Sequence, residues 1–77
     1  MDQSFVQALE DNPSVVRIVR AILAMAQSLG MAVTAEGVET EEQFSLLRQL
    51  GCGEIQGFLL GGPMPADAVA LILAETA

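Results

Sequence analysis

A chain of 77 residues holds at most one small core, and cores of that size are marginal without disulfides, metals or oligomerisation. Hydrophobic residues at 52% and charged residues at 17% exclude a disordered tail, while a single cysteine excludes an internal disulfide and suits a reducing cytosol. A net charge of −7 with only three basic residues argues against nucleic acid or an anionic membrane as a partner.

The first part of the chain predicts two helical segments. Residues 2–9 are half apolar, as in a turn or short helix. Asn12 and Pro13 then start a longer helix, because asparagine is a favourable N-cap and proline is tolerated at the first helical position. Apolar residues follow the 3.6-residue period up to Leu29, and Gly30 is suited to ending the helix. The apolar stripe is wide, so we expect this helix to be heavily buried.

The rest of the chain predicts two strands that alternate with two helices. The apolar run 31–35 is typical of a parallel strand covered on both faces. Residues 40–43 have the spacing of a capping box, and the helix that follows ends near Gly51. We expect a second strand at 55–60, a loop at 61–65 and a last helix at 66–74. This order predicts an α/β fold with parallel strands, either part of a (β/α)₈ barrel or part of an open doubly wound sheet.

Glu36 is the first candidate for chemistry. It follows the predicted strand 31–35, and sites in parallel α/β folds assemble at the carboxyl ends of the strands. Gly37 allows the backbone to turn there or to approach a ligand closely. The alternative is a glutamate on a solvated loop. Glu39 comes just before the predicted cap Thr40, so its carboxylate either belongs to the site or stabilises the helix dipole.

Gln56 is a polar residue in an otherwise apolar predicted strand. A buried carboxamide without a partner costs about 1–3 kcal/mol, so Gln56 must find a partner in a site or in a buried network. The polar run Thr40–Gln43 is explained by the capping box. We expect Cys52 to be a small buried hydrophobe, because the sequence has no histidine and no second cysteine to activate it or share a metal.

Several of these residues resemble one known family. Residues 33–40 (VTAEGVET), with residues 56–60 and 63–65, resemble the closing segment of the bacterial cyclic di-GMP phosphodiesterase domain, which is called EAL. Residues 2–6 (DQSFV) resemble the same family's Lys-Ile-Asp-x-Ser-Phe-Val element without its lysine. The resemblance implies that residues 1–77 are one incomplete unit, the C-terminal segment of an EAL-type domain. The implied fold is a partial (β/α)₈ TIM-type barrel with its last two or three strand–helix units and parallel strands.

The resemblance also implies active-site roles for Glu36, Gln56 and Glu39. Glu36 would be a carboxylate at a two-metal centre and would act on a cation directly or through its water. Gln56 would face the metals and the nucleotide, and Glu39 would help to shape the active-site loop. Asp2 matches the aspartate that follows the family's active-site lysine, and it is expected to be exposed with little to coordinate.

The function implied by the resemblance is metal-dependent hydrolysis of cyclic di-GMP to linear pGpG with Mg²⁺ or Mn²⁺, in bacterial second-messenger signalling. The Glu-Ala-Leu motif and most of the family's metal ligands are not among the 77 residues, and glycine takes the place of the basic residue that the family usually has directly before the proline at position 63. We therefore expect the chain by itself to be inactive and to hold no metal of its own. The alternative is a catalytically dead EAL remnant that acts as an oligomerisation or protein-binding module. The single cysteine and the lack of an apolar run long enough to span a membrane lead us to expect a cytoplasmic protein. A barrel fragment of this size leaves a strand edge unpaired and apolar faces uncovered, so we also expect a homo-oligomer.

Overall fold

The computed structural model describes residues 1–58 and 60–76, except for the side chain of residue 76. Within these residues, four helices and three strands follow one another along the chain. Their bounds are α1 Gln3–Ala8, α2 Pro13–Ser28, β1 Thr34–Val38, α3 Glu41–Gln49, β2 Glu54–Gly57, β3 Met64–Pro65 and α4 Ala66–Thr76.

Side-chain caps start the first three helices. The carboxylate of Asp2 accepts a hydrogen bond from the backbone N–H of Ser4, and the Asn12 side chain accepts one from Ser14. The Thr40 side chain accepts the backbone N–H of Gln43, whose own side chain bonds back to the cap residue. Each cap satisfies amide groups that have no partner within the helix, so the sequence itself fixes where these helices begin.

The three strands form one sheet in the order β1, β2, β3. β1 and β2 are parallel and are joined through α3, which confirms the predicted α/β unit with parallel strands. β3 is antiparallel to β2 and is only two residues long. It lies in the stretch that was predicted to be a loop, because Met64 and Pro65 reach back to pair with Ile55 and Glu54.

Both main strands differ from their predicted bounds. β1 begins three residues later than the apolar run, since pairing with β2 starts at Thr34 opposite Glu54 and Met31 lies exposed before the strand. Glu36 is therefore inside β1 and not beyond its end. β2 ends at Gly57 because Phe58 has a φ of 52°, which leaves the extended conformation. Leu59, which the sequence assigned to this strand, lies outside the described residues.

The core lies between the sheet and the inner faces of the helices. It also contains Cys52, as expected from the sequence. Its buried hydrophobic residues are Val6, Leu9, Val19, Leu23, Ala35, Val38, Phe44, Leu47, Cys52, Ile55, Ala66 and Val69.

Helix α2 is not heavily buried, contrary to the expectation from its wide apolar stripe. Val19 and Leu23 are its buried residues. Four other apolar side chains on the helix or at its end are 37–66% exposed, namely Ile18, Ile22, Met25 and Leu29. The sequence correctly predicted an apolar face on this helix, but the described residues cover only the part of that face that carries Val19 and Leu23. None of the helices in the described ranges is long and apolar enough to cross a membrane.

Candidate functional site

An extra residue in β1 shapes the site. Ala35 pairs with Ile55, and the next paired residues are Val38 and Gly57, so β1 advances three positions while β2 advances two. This irregularity is a β-bulge that contains Glu36 and Gly37. It allows both Ala35 and Val38 to point into the core, although strict alternation would turn one of them outward. Glu36 is left exposed between them.

Gly37 and Gly57 make this geometry possible. Gly37 has a φ of 73°, which is the left-handed region that favours glycine. At Gly57, a Cβ atom would lie only 1.9 Å from the carbonyl oxygen of Val38. The same carbonyl accepts the backbone N–H of Phe58 at 2.9 Å. Close approach of the two strand ends therefore depends on Gly57, whereas Gly37 supplies the left-handed conformation of the bulge.

The two strand ends open into a cleft of about 420 Å³. Its lining residues are Asp2, Gln3, Glu36, Gly37, Glu39, Gln56, Gly57, Phe58 and Gly61. The three residues proposed from the sequence, Glu36, Glu39 and Gln56, thus lie at one cleft, on the carboxyl side of the parallel pair. Their catalytic roles stay a prediction.

The polar side chains of the cleft face an open space. Glu36 and Glu39 are exposed, and Gln56 is half-buried, so the carboxamide does not need the buried partner that the sequence suggested. Glu39 is held through its backbone, because its N–H donates to the Gln43 side chain at 2.9 Å. Asp2 caps α1, and hydrogen bonds from the hydroxyl and the backbone N–H of Ser4 hold the pKa of Asp2 below its usual value.

Sequence reasoning did not assign Gln3 and Phe58 to the site. Gln3 reaches it because α1 packs beside β1, a contact that no local pattern indicates. Phe58 combines a positive φ with an edge-to-face contact on Phe44, with ring centroids 6.4 Å apart. A non-glycine residue at positive φ has no sequence signal of its own, although its position directly after Gln56 and Gly57 was a hint.

The cleft offers oxygen ligands that suit a hard divalent cation in kind. Carboxylates and amide oxygens are typical ligands of Mg²⁺ and Mn²⁺, and Asp2, Glu36, Glu39 and Gln56 supply them. However, no group of three acidic, cysteine or histidine side chains within 1–58 and 60–76 could hold a metal ion by itself. The described residues can therefore contribute ligands to a metal centre, but by themselves they do not form one.

Comparison with known proteins identifies the family. Among models of known protein families, the one for the EAL domain matches residues 1–63. The bifunctional diguanylate cyclase/cyclic di-GMP phosphodiesterase MucR of Pseudomonas aeruginosa is 46% identical over 67 residues, which are 87% of this chain and 10% of MucR. The structure described as the MucR phosphodiesterase in complex with c-di-GMP superposes with a TM-score of 0.73 at 45% identity, over 90% of this chain and 28% of that one.

A second solved structure agrees. The EAL domain of Mycobacterium smegmatis DcpA gives a TM-score of 0.71 at 43% identity and covers 97% of this chain and 34% of that one. The chain spans about a tenth of the length of the curated relatives that it matches first. The match to the family over residues 1–63 and the shared fold lead to one conclusion: this chain belongs to the EAL domain family.

Proposed function

We propose that this chain is part of a cyclic di-GMP phosphodiesterase, to which it supplies one wall of the active site. The observation that carries the proposal is the convergence of Glu36, Glu39 and Gln56 on one cleft in a chain of the EAL family. The substrate class is supported by relatives whose names state cyclic di-GMP phosphodiesterase activity, MucR among them. The reaction would be hydrolysis of one phosphodiester bond of cyclic di-GMP, which gives linear pGpG.

Divalent metal is part of this proposal. A bound Mg²⁺ or Mn²⁺ lowers the pKa of water and stabilises charge that develops on a phosphodiester. Glu36 is the residue of this chain best placed to hold such an ion, because the bulge exposes its carboxylate to the cleft. The remaining ligands would come from other segments of a complete domain.

The other two side chains would act on the substrate and on the shape of the site. The Gln56 carboxamide can donate to a phosphate oxygen or to a nucleobase, since it is half-exposed at the end of β2. Glu39 is fixed to the first turn of α3 through Gln43. It would therefore set the position of the loop between β1 and α3.

A chimaera tests this proposal. Residues 1–77 would replace the matching segment of the MucR phosphodiesterase domain, and hydrolysis of cyclic di-GMP would be measured in Mn²⁺. We expect turnover by the chimaera and a loss of at least about 100-fold in kcat on Glu36→Gln, because the neutral amide cannot hold a cation as a carboxylate does. Glu42→Gln is the matched control, since Glu42 is also an exposed glutamate but lies in α3 away from the cleft.

Two outcomes would contradict the proposal. A folded chimaera without turnover would show that this segment does not support the reaction. Equal activity of the Glu36→Gln and Glu42→Gln variants would show that Glu36 has no role in catalysis.

The exposed apolar side of α2 favours a second candidate function. Ile18, Ile22, Met25 and Leu29 form a stripe on one helix and remain accessible to solvent. A catalytically inactive EAL-type module could use such a stripe to bind a protein or a second copy of itself. An inactive but correctly folded chimaera would favour this candidate.

A further inference from the structure

The segment before α1 contacts the bulge that carries Glu36. The carbonyl oxygen of Met1 accepts the backbone N–H of Glu36 at 3.1 Å. On the opposite side of β1, pairing with β2 is interrupted between Ala35 and Val38. The backbone of Glu36 is therefore held from the side of residues 1–3, where the β1–β2 ladder does not hold it.

Gln3 adds a side-chain contact at the next residue of the bulge. A Cβ atom on Gly37 would lie 2.4 Å from Cγ of Gln3, 2.7 Å from its Cδ and 3.0 Å from its Cβ. The aliphatic stem of Gln3 thus lies directly over the face of Gly37 that has no side chain. The positive φ at position 37 favours glycine, and Gln3 fills the space that a side chain on Gly37 would otherwise occupy.

The position of Gln3 is itself fixed. It is the first residue of α1, which is capped by Asp2 and anchored in the core by Val6 and Leu9. The helix thus fixes the backbone of Gln3 beside β1, and from there its stem covers a glycine that would otherwise have wide conformational freedom, although the residue as a whole is exposed.

We infer that Gln3 is a positioning residue, whose aliphatic stem packs on Gly37 and keeps the bulge in the form that presents the Glu36 carboxylate to the cleft. Gln3 acts through Gly37, so the stem matters and the amide group does not. The catalytic consequence of this inference rests on the proposed phosphodiesterase function. The packing of Gln3 on Gly37 does not depend on that function and can be tested separately in the chain itself.

The catalytic test compares two substitutions of Gln3 in the MucR chimaera. Gln3→Ala removes Cγ and Cδ, and we expect kcat to fall by about 10-fold with KM changed less than about 2-fold, because a shifted carboxylate slows the chemical step. Gln3→Met restores an unbranched stem without the amide and should recover most of kcat. Gln7→Ala, an exposed residue one turn further along α1, is the control and should equal the unsubstituted chimaera.

The structural test uses the 77-residue chain and ¹⁵N NMR. Gln3→Ala should shift the amide signals of Glu36 and Gly37 and accelerate their hydrogen exchange, whereas Gln3→Met and Gln7→Ala should leave them near their original values. If the unsubstituted chimaera is inactive, the proposed function fails, and the NMR comparison still decides the positioning role. Unchanged Glu36 and Gly37 signals in Gln3→Ala, or a Gln3→Met chimaera as slow as Gln3→Ala, would overturn the inference.

Discussion

Among the glycines, Gly57 has the least room for an added side chain. Its φ of 157° and the distance of only 1.9 Å between an added Cβ and the Val38 carbonyl oxygen leave no space for a side chain. The atom in the way belongs to the backbone of the neighbouring strand, so no rotamer change relieves the contact. Only a separation of β1 from β2 would do so, and this separation would open the cleft.

Gly57→Ala should therefore destabilise the chain by more than about 2 kcal/mol, a large part of the stability of a small domain. Urea unfolding followed by circular dichroism measures this difference. Gly53→Ala serves as the control, because a Cβ on Gly53 meets no atom within 4 Å. Equal unfolding midpoints for the two variants would show that the strands can separate at little cost.

Cys52 provides a test of burial through pH. Burial raises the pKa of the thiol above its ordinary value of 9.0, while the carbonyl oxygens of Val33 and Glu54 lie 3.6 and 3.3 Å from its sulfur. A folded-state pKa above the unfolded one contributes stability that is complete below pH 9 and is lost as pH rises through the folded-state pKa. The sequence contains no tyrosine, histidine or lysine, and Cys52→Ala keeps every ionisable group of the chain except the thiol.

We expect the free energy of unfolding to fall more between pH 8 and pH 10.5 in the unsubstituted chain than in Cys52→Ala, because only the unsubstituted chain carries the buried thiol. Urea titrations of both proteins at the two pH values give the comparison. The same dependence on pH in both proteins would mean that the thiol is not buried in solution.

At the scale of the elements, the capping box links helix stability to the site. The side-chain oxygen of Gln43 accepts the N–H groups of Glu39 and Thr40, at 2.9 and 3.2 Å. Gln43 is only 7% exposed, so its loss leaves two backbone donors without this partner. The Thr40 hydroxyl accepts one helix amide, that of Gln43, and donates to the carboxylate of Glu10, where solvent can replace the exposed bond.

Gln43→Ala should lower the unfolding free energy by about 1–3 kcal/mol, and Thr40→Ala by about 1 kcal/mol. Thermal unfolding of both variants, with Glu42→Ala from the same helical turn as the control, measures the order of the effects. A Gln43→Ala variant as stable as Glu42→Ala would show that the loop before α3 is held by other contacts.

The elements differ in how far the sequence predicts them. The starts of α2 and α3 were predicted correctly because Asn12 and Thr40 act through local hydrogen bonds. The bounds of β1 were wrong because pairing with β2, and not hydropathy, decides where a strand begins. The bulge was only hinted at by Gly37, since its exact position depends on the register of a second strand. Gln3 lies in the segment 2–6 that resembles the element with the family's active-site lysine, but only the packing of α1 on β1 shows that its side chain reaches the cleft.

At the scale of the whole molecule, the net negative charge disfavours binding and hydrolysis of cyclic di-GMP by the 77-residue chain alone. The net charge of −7 opposes the approach of a dianionic nucleotide, and the described residues do not complete a metal centre that would offset it. We therefore expect the 77-residue chain to show no turnover of cyclic di-GMP in Mn²⁺ and no micromolar binding. Product analysis and calorimetry with and without Mn²⁺ test both statements, and a saturable isotherm would favour a receptor function.

The exposed apolar surface of the whole molecule predicts self-association. Ile18, Ile22, Met25 and Leu29 recur at spacings of four and three residues along α2, which is the seam pattern of helices that pack lengthwise. A second copy of the chain would cover this stripe and add apolar burial to a core that is small for an independent domain. We expect light scattering at micromolar concentration to give about twice the monomer mass of 8.1 kDa. The double substitution Ile22→Glu with Met25→Glu should give a monomer, whereas the exposed control Gln27→Glu should remain a dimer. A single 8.1 kDa species from the unsubstituted chain would show that the stripe stays exposed to solvent and does not mediate association.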